Sequence, residues 1–148
     1  MRVPRDWRDD TGSTLPLVLF YAALAIGLIL VVVAASSLYL ERKQLFTLAD
    51  GAALVGAESF DLDDVSVTAE GALRPTLRAD EVAAAVRDYL GRIPTPPLEG
   101  LRVVEATTHD GASATVTLEA MWRPPVVTAL VPEGIRIEVT ARARAVFG

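Results

Sequence analysis

A chain of 148 residues, 51% hydrophobic and 22% charged, has room for one ordinary domain or for a smaller domain with an appendage. The absence of cysteine excludes a disulfide framework, a thiolate metal site and a cysteine nucleophile, and leaves the redox compartment open. An acidic balance, 19 Asp and Glu against 14 Lys and Arg, argues against nucleic acid as a partner, because its binders present a basic face.

The mean hydropathy of +0.36 is high for a soluble chain, and the excess is concentrated. Residues 1–14 form a short leader in which Arg2, Arg5 and Arg8 face Asp6, Asp9 and Asp10. Residues 15–40 then run without one Asp, Glu, Lys or Arg. As a helix at ~1.5 Å per residue this is about 39 Å, more than the ~30 Å hydrocarbon thickness of a bilayer. A buried core helix keeps a polar stripe, which this run lacks. Tyr21 and Tyr39 lie towards its two ends, where amphipathic rings favour the interface, and Pro16 falls in the first turn. The expectation is one transmembrane helix. A secretory signal cut near Val33-Ala34-Ala35 is the competing reading, but signal peptides have an apolar region of only ~7–15 residues. The three leading arginines favour a cytoplasmic N-terminus and an extracytoplasmic C-terminal domain, an asymmetry that Arg42 and Lys43 weaken.

Residues 1–40 carry three Arg and three Asp, which leaves 11 basic and 16 acidic side chains for residues 41–148. That remainder is large enough to bury a modest core of its own. Residues 41–60 are expected to extend the helix, with Leu45, Leu48, Ala49, Ala52 and Val55 at helical spacing. Ala49, Ala53, Gly56 and Ala57 form a small-residue ridge of the sort that lets backbones approach, towards another chain or towards the domain's own sheet. Asp61, Asp63 and Asp64 end the pattern in a solvated turn, since a calcium loop would need twelve regularly spaced positions and a closing Glu.

From there the head, residues 61–148, reads as α+β. Residues 65–69 alternate as a short strand, and Gly71 and Pro75 punctuate the chain after it. Residues 80–90 make a second helix, capped by Asp80, with Val82, Val86, Tyr89 and Leu90 on one face and Gly91 at its end. Residues 93–100 are a proline-rich connector. A strand over 101–108 turns at His109-Asp110-Gly111 into a second, with Ala114, Val116, Leu118, Ala120 and Trp122 on one face and Thr115, Thr117, Glu119 and Met121 on the other. Pro124 and Pro125 break that strand, and residues 126–130 are read as a turn or two of helix. In the last strand Ile135, Ile137, Val139, Ala141, Ala143, Ala145 and Phe147 point one way, while Arg136, Glu138, Thr140, Arg142 and Arg144 point to water. The whole is a small antiparallel sheet with the long helix and a second helix packed on it.

Chemistry has little material here. His109, the one histidine, sits in a turn, so neither a metal site nor a histidine-based triad can be assembled. Gly51 to Gly56 has half of a phosphate-loop spacing but lacks the lysine that completes it. Arg136, Arg142 and Arg144 could meet an anionic partner, although a solvated strand face accounts for them as well. No catalytic residue, metal or cofactor is expected.

Architecture carries more. Asp10-Thr11-Gly12-Ser13-Thr14, the apolar helix, and the run Ala49-Asp50-Gly51-Ala52-Ala53-Leu54-Val55-Gly56-Ala57 resemble the TadE/TadG-like family of Tad (Flp) pilus assembly proteins, in its actinobacterial TadG-like type. Residues 121–125 and 139–145 are similar to that family's tail. The resemblance implies a pilin-like lollipop, a minor pseudopilin or an anchored accessory protein of a Tad pilus or related secretion apparatus. It implies membrane lipid and other pilus subunits as partners through the N-terminal helix, and a prepilin peptidase cutting between Gly12 and Ser13. Leu17 stands where type IV pilins commonly carry Glu, so removal of residues 1–12 and permanent anchoring both stay open. An anchored extracytoplasmic binding module unrelated to pili is the alternative.

Overall fold

The apolar run and its extension form one unbroken helix, α1 (Leu15–Ala57), in a computed structural model that describes residues 14–61, 63, 65–67, 69, 71, 73–93, 98–124 and 132–146. Its most apolar stretch has a mean hydropathy of 3.0 and buries nothing against the rest of the chain. The end comes at Ala57, short of the expected residue 60. There the Ser59 hydroxyl donates to the Gly56 carbonyl at 2.8 Å, and the acidic side chains just beyond oppose the negative end of the helix dipole.

Among the described residues, five strands and a second helix follow. β1 (Val65–Val67) pairs antiparallel with β2 (Leu73–Pro75) in a small separate ribbon. At β2 the sequence pattern offers only punctuation. Next comes α2 (Ala79–Gly91), one residue longer at each end than the apolar spacing required. Its capping position is Arg78 rather than Asp80, without a side-chain cap bond. Asp80 lies instead in the first turn with Glu81, both 3.6 Å from the Arg78 guanidinium, where negative charge suits the dipole. Val82 and Val86 are buried as expected.

β3 (Arg102–Thr108), β4 (Ser113–Trp122) and β5 (Ile135–Arg144) make an antiparallel sheet in that order. Its inner face carries Ala114, Val116, Leu118 and Ala120, with Ile137, Val139, Ala141 and Ala143 beside them on β5. Leu45, Leu48, Ala49, Ala52 and Ala53 of α1 cover that face together with Val82 and Val86 of α2. The outer face of β5 is exposed, as its alternation requires. That of β4 is not wet throughout: Thr117 and Glu119 are buried, because β4 is the central strand and its neighbours' side chains reach across it. Arg102 contacts Glu119 at 3.0 Å, Arg136 does so at 3.7 Å, and the Thr117 and Thr140 hydroxyls lie 2.9 Å apart.

The β3–β4 hairpin turns at Gly111, whose φ of +64° is one that glycine adopts without a Cβ penalty. Asp110 holds the turn. Its Oδ1 accepts from the backbone N–H groups of Ala112 (3.0 Å) and Ser113 (2.7 Å), and its Oδ2 from Arg142 (2.6 Å) and the Ser113 hydroxyl (3.2 Å). The Ala112 bond above all, seconded by Ser113 and Arg142, holds the carboxyl well below the usual carboxylate range. A depressed folded value means that the charged form stabilises the fold above the unfolded value of ~3.9, and that this is lost as pH falls through the folded value. Asp110→Ala is therefore expected to lower the melting temperature at neutral pH, with the gap to the parent closing in strong acid. Melting curves across pH check this; a gap that stays constant would mean that the charge is irrelevant.

Candidate functional site: where the helix meets the head

Two adjoining regions of α1 behave differently. Residues 15–33 are exposed throughout, whereas Ala34, Ser37 and Leu38 begin to be covered, and Leu45 is fully buried. The head therefore grips α1 from residue 34 onwards.

β4 runs antiparallel to α1 and marks out the grip. At its start, the Ala114 side chain lies against Gly56. At its end, the Trp122 indole N–H donates to the Ser37 hydroxyl at 3.3 Å. From Ser37 to Gly56 is about 28 Å of helix at ~1.5 Å per residue, and from Ala114 to Trp122 is about 26 Å of strand at ~3.3 Å per residue. Helix and strand thus match in length over the whole contact.

The small-residue ridge lies inside this grip. Ala49 and Ala53 are fully buried, Gly56 is buried and Ala57 nearly so. A Cβ on Gly56 would stand 3.1 Å from Val82 Cγ1 and 3.2 Å from the Ala114 Cβ. Of the two neighbours the sequence left open for the ridge, the chain's own sheet and α2 occupy this side. Gly51 serves a similar approach, leaving room for the Tyr89 ring of α2 to lie across α1. The peptidase positions Gly12 and Ser13 lie outside the described residues, as do residues 1–11 of the leader, Asp64, half of the proline-rich connector (94–97), the expected helix at 126–130 and Phe147.

Beyond the ridge, α1 offers a shallow groove beside the head, lined by Val32, Val33, Ser36, Leu40, Glu41 and Gln44. Burial, with the neighbouring Glu99 charge adding to it, pushes the Glu41 carboxyl above its usual value. A second hollow beside it is bordered by Lys43, Thr47, Leu48 and Tyr89. Among the described residues no three acidic or histidine side chains stand close enough to share a metal ion. His109 faces Glu105 at 3.1 Å on the open side of the hairpin. Of the three outward arginines of β5, Arg136 and Arg142 already meet Glu119 and Asp110 of the same chain.

The Ser37–Trp122 contact escapes a reading of the sequence. Its only local signal is a serine pair late in an apolar run, and a tryptophan just before two prolines.

An α+β head gripped by the distal half of a single long helix, whose proximal half is apolar and bare, defines a helix-anchored head protein. Residues 12–59 match the family model described as Tad, putative Flp pilus-assembly TadE/G-like. The TadE/TadG-like family expected from residues 10–14 and 49–57 is thereby borne out on this segment, about a third of the chain, while the head, residues 61–148, lies outside the match. No curated protein and no solved structure matches the chain.

Proposed function

We propose that the protein is a structural or assembly component of a Tad (Flp) pilus or related secretion apparatus, acting as a minor pseudopilin or as a membrane-anchored accessory protein and not as an enzyme. The match over residues 12–59 carries this reading, because it covers the apolar helix and the ridge where the head is seated. The geometry is in keeping with it: one rigid helix links the bare apolar section to the folded head without a hinge or linker. The head is proposed to face outward from the cell membrane, with the N-terminus cytoplasmic, and the bare section to contact lipid and other pilus subunits.

Leu17 in place of a buried carboxylate suits a subunit that starts, caps or braces a fibre. A carboxylate held in hydrocarbon is costly unless it is paired, so pairing it between subunits fixes their register, and a leucine cannot do so. The test is the intact mass of the protein extracted from its native membranes, together with the pilus content of a deletion strain. Loss of residues 1–12 is the result expected of a pseudopilin and a full-length mass that of an anchored accessory protein. Undiminished pili in the deletion strain, or a cut near Ala35 that frees the head, would overturn the proposal.

A further inference from the structure

The head begins to cover α1 at Ala34, several residues before the charge-free run ends at Leu40. What remains bare, residues 15–33, is about 28 Å long at ~1.5 Å per residue. The hydrocarbon core of a bilayer is ~30 Å. The free helix therefore spans one membrane and leaves no stalk over. We propose that the lower rim of the head, which among the described residues presents the exposed Arg123, Glu99 and Ile135 beside the buried Trp122, rests in the lipid headgroup layer, and that the hydrocarbon-spanning section of α1 is residues 15–33 rather than 15–40.

The chemistry of the rim fits that layer. Trp122 lies close enough to α1 to hydrogen-bond Ser37, which puts an indole at the level where the bare helix ends. The ring itself is only 5% exposed and packs into the head's own core, so Trp122 marks the level of the rim, and the exposed side chains beside it are the ones that meet lipid. Next to it, Arg123 and Glu99 form an ion pair at 3.0 Å, and Ile135, paired with Trp122 in the sheet, is half exposed. A rim that pairs its own charges and adds an apolar side chain suits zwitterionic headgroups. Hydrocarbon would not suit it, since an ionised side chain is costly there. Were the span to extend to Leu40, Trp122, Arg123 and Glu99 would be drawn into hydrocarbon with it. Ser36 and Ser37 mark the same level on the helix, with Glu41 about one turn further along.

This inference rests on reading α1 as a membrane anchor, and the experiment separates the two. The full chain with Trp7→Phe, which leaves Trp122 as the sole tryptophan, is reconstituted in phosphatidylcholine vesicles. These carry a nitroxide either at the headgroup or at the middle of the acyl chain. A second variant, Leu28→Cys in the cysteine-free chain, carries a bimane label. Protease resistance of the head confirms that both variants are folded.

The expected result is a larger loss of Trp122 emission to the headgroup nitroxide than to the mid-chain one, with the reverse order for the label at position 28. Tyr39→Cys, at an exposed position above the proposed boundary, is expected to react with a membrane-impermeant maleimide in intact vesicles. Quenching at position 28 with none at Trp122 would place the head clear of the surface and overturn the inference while leaving the anchor intact. Stronger mid-chain quenching of Trp122, with Tyr39→Cys unreactive, would mean a span that reaches Leu40. Absence of quenching at both sites would overturn the anchor reading as well.

Discussion

Val139→Asp is expected to unfold the head and leave α1 helical in the membrane. Val139 lies on the inner face of β5, opposite Leu118 of β4, 6% exposed and within the hydrophobic core, where a carboxylate would be taken out of water. An unpaired buried charge carries an effective penalty of several kcal/mol. The whole stability of a domain this size is about 5–15 kcal/mol. Protonating the new carboxyl relieves part of the penalty, so the variant should regain protease resistance in acid before it does so at neutral pH. Limited proteolysis of the reconstituted chain checks the prediction: the head should be digested and a fragment containing residues 15–33 protected. Thr140→Asp, one position along on the exposed face, is the control and should remain resistant. A resistant Val139→Asp head would mean that β5 presents its other face to the helices.

The surroundings of each element explain why β5 was readable from sequence while others were not. β5 is an edge strand with α1 on one side and water on the other, so each alternate residue reports its neighbour directly. β4 has the same alternation, and its inner face was legible for the same reason. Its outer face was not, because burial there comes from Arg102 and Arg136 reaching over Glu119 from the adjacent strands, and strand pairing is non-local. β2 is three residues long and ends in proline, too short for any period to show. Asp80 looked like a helix cap because Asp is a good one, yet the chain turns into the helix two residues sooner, at Arg78.

The division of α1 between lipid and head was hidden for a further reason. Leucine, valine and alanine suit a bilayer and a protein core equally, so composition stays uniform across residues 15–40 while the neighbour changes at Ala34. The contact that fixes the change joins Ser37 to Trp122, 85 positions apart. The family segment, in contrast, was legible because the apolar run and the ridge at 49–57 are local features of the sequence, and these are what the family model matches.

Gly56→Leu provides the second large effect, and it distinguishes packing within the head from packing between chains. The Cβ alone would sit 3.1 Å from Val82 Cγ1 and 3.2 Å from the Ala114 Cβ, and the remaining carbons have nowhere to go without parting α1 from α2 and β4. Overpacking of this kind costs about 1–3 kcal/mol and sometimes more. A leucine is also a better helix former than glycine by something under ~1 kcal/mol, so propensity offsets part of the loss without reversing it. Gly27→Leu is the matched comparison: apart from the adjoining backbone of α1 itself, no described atom lies within 4 Å of the added Cβ there, so the same change should be neutral or stabilising in the isolated protein.

Melting of the two purified variants in detergent is expected to separate them, Gly56→Leu falling and Gly27→Leu holding. Assembly in the native host then asks a different question. If Gly27→Leu melts normally but fails to support pili, the bare section of α1 makes a close contact with a neighbouring chain at Gly27. If it supports them fully, the bare section tolerates added bulk at that position, and the small residues of this chain serve chiefly to seat its own head.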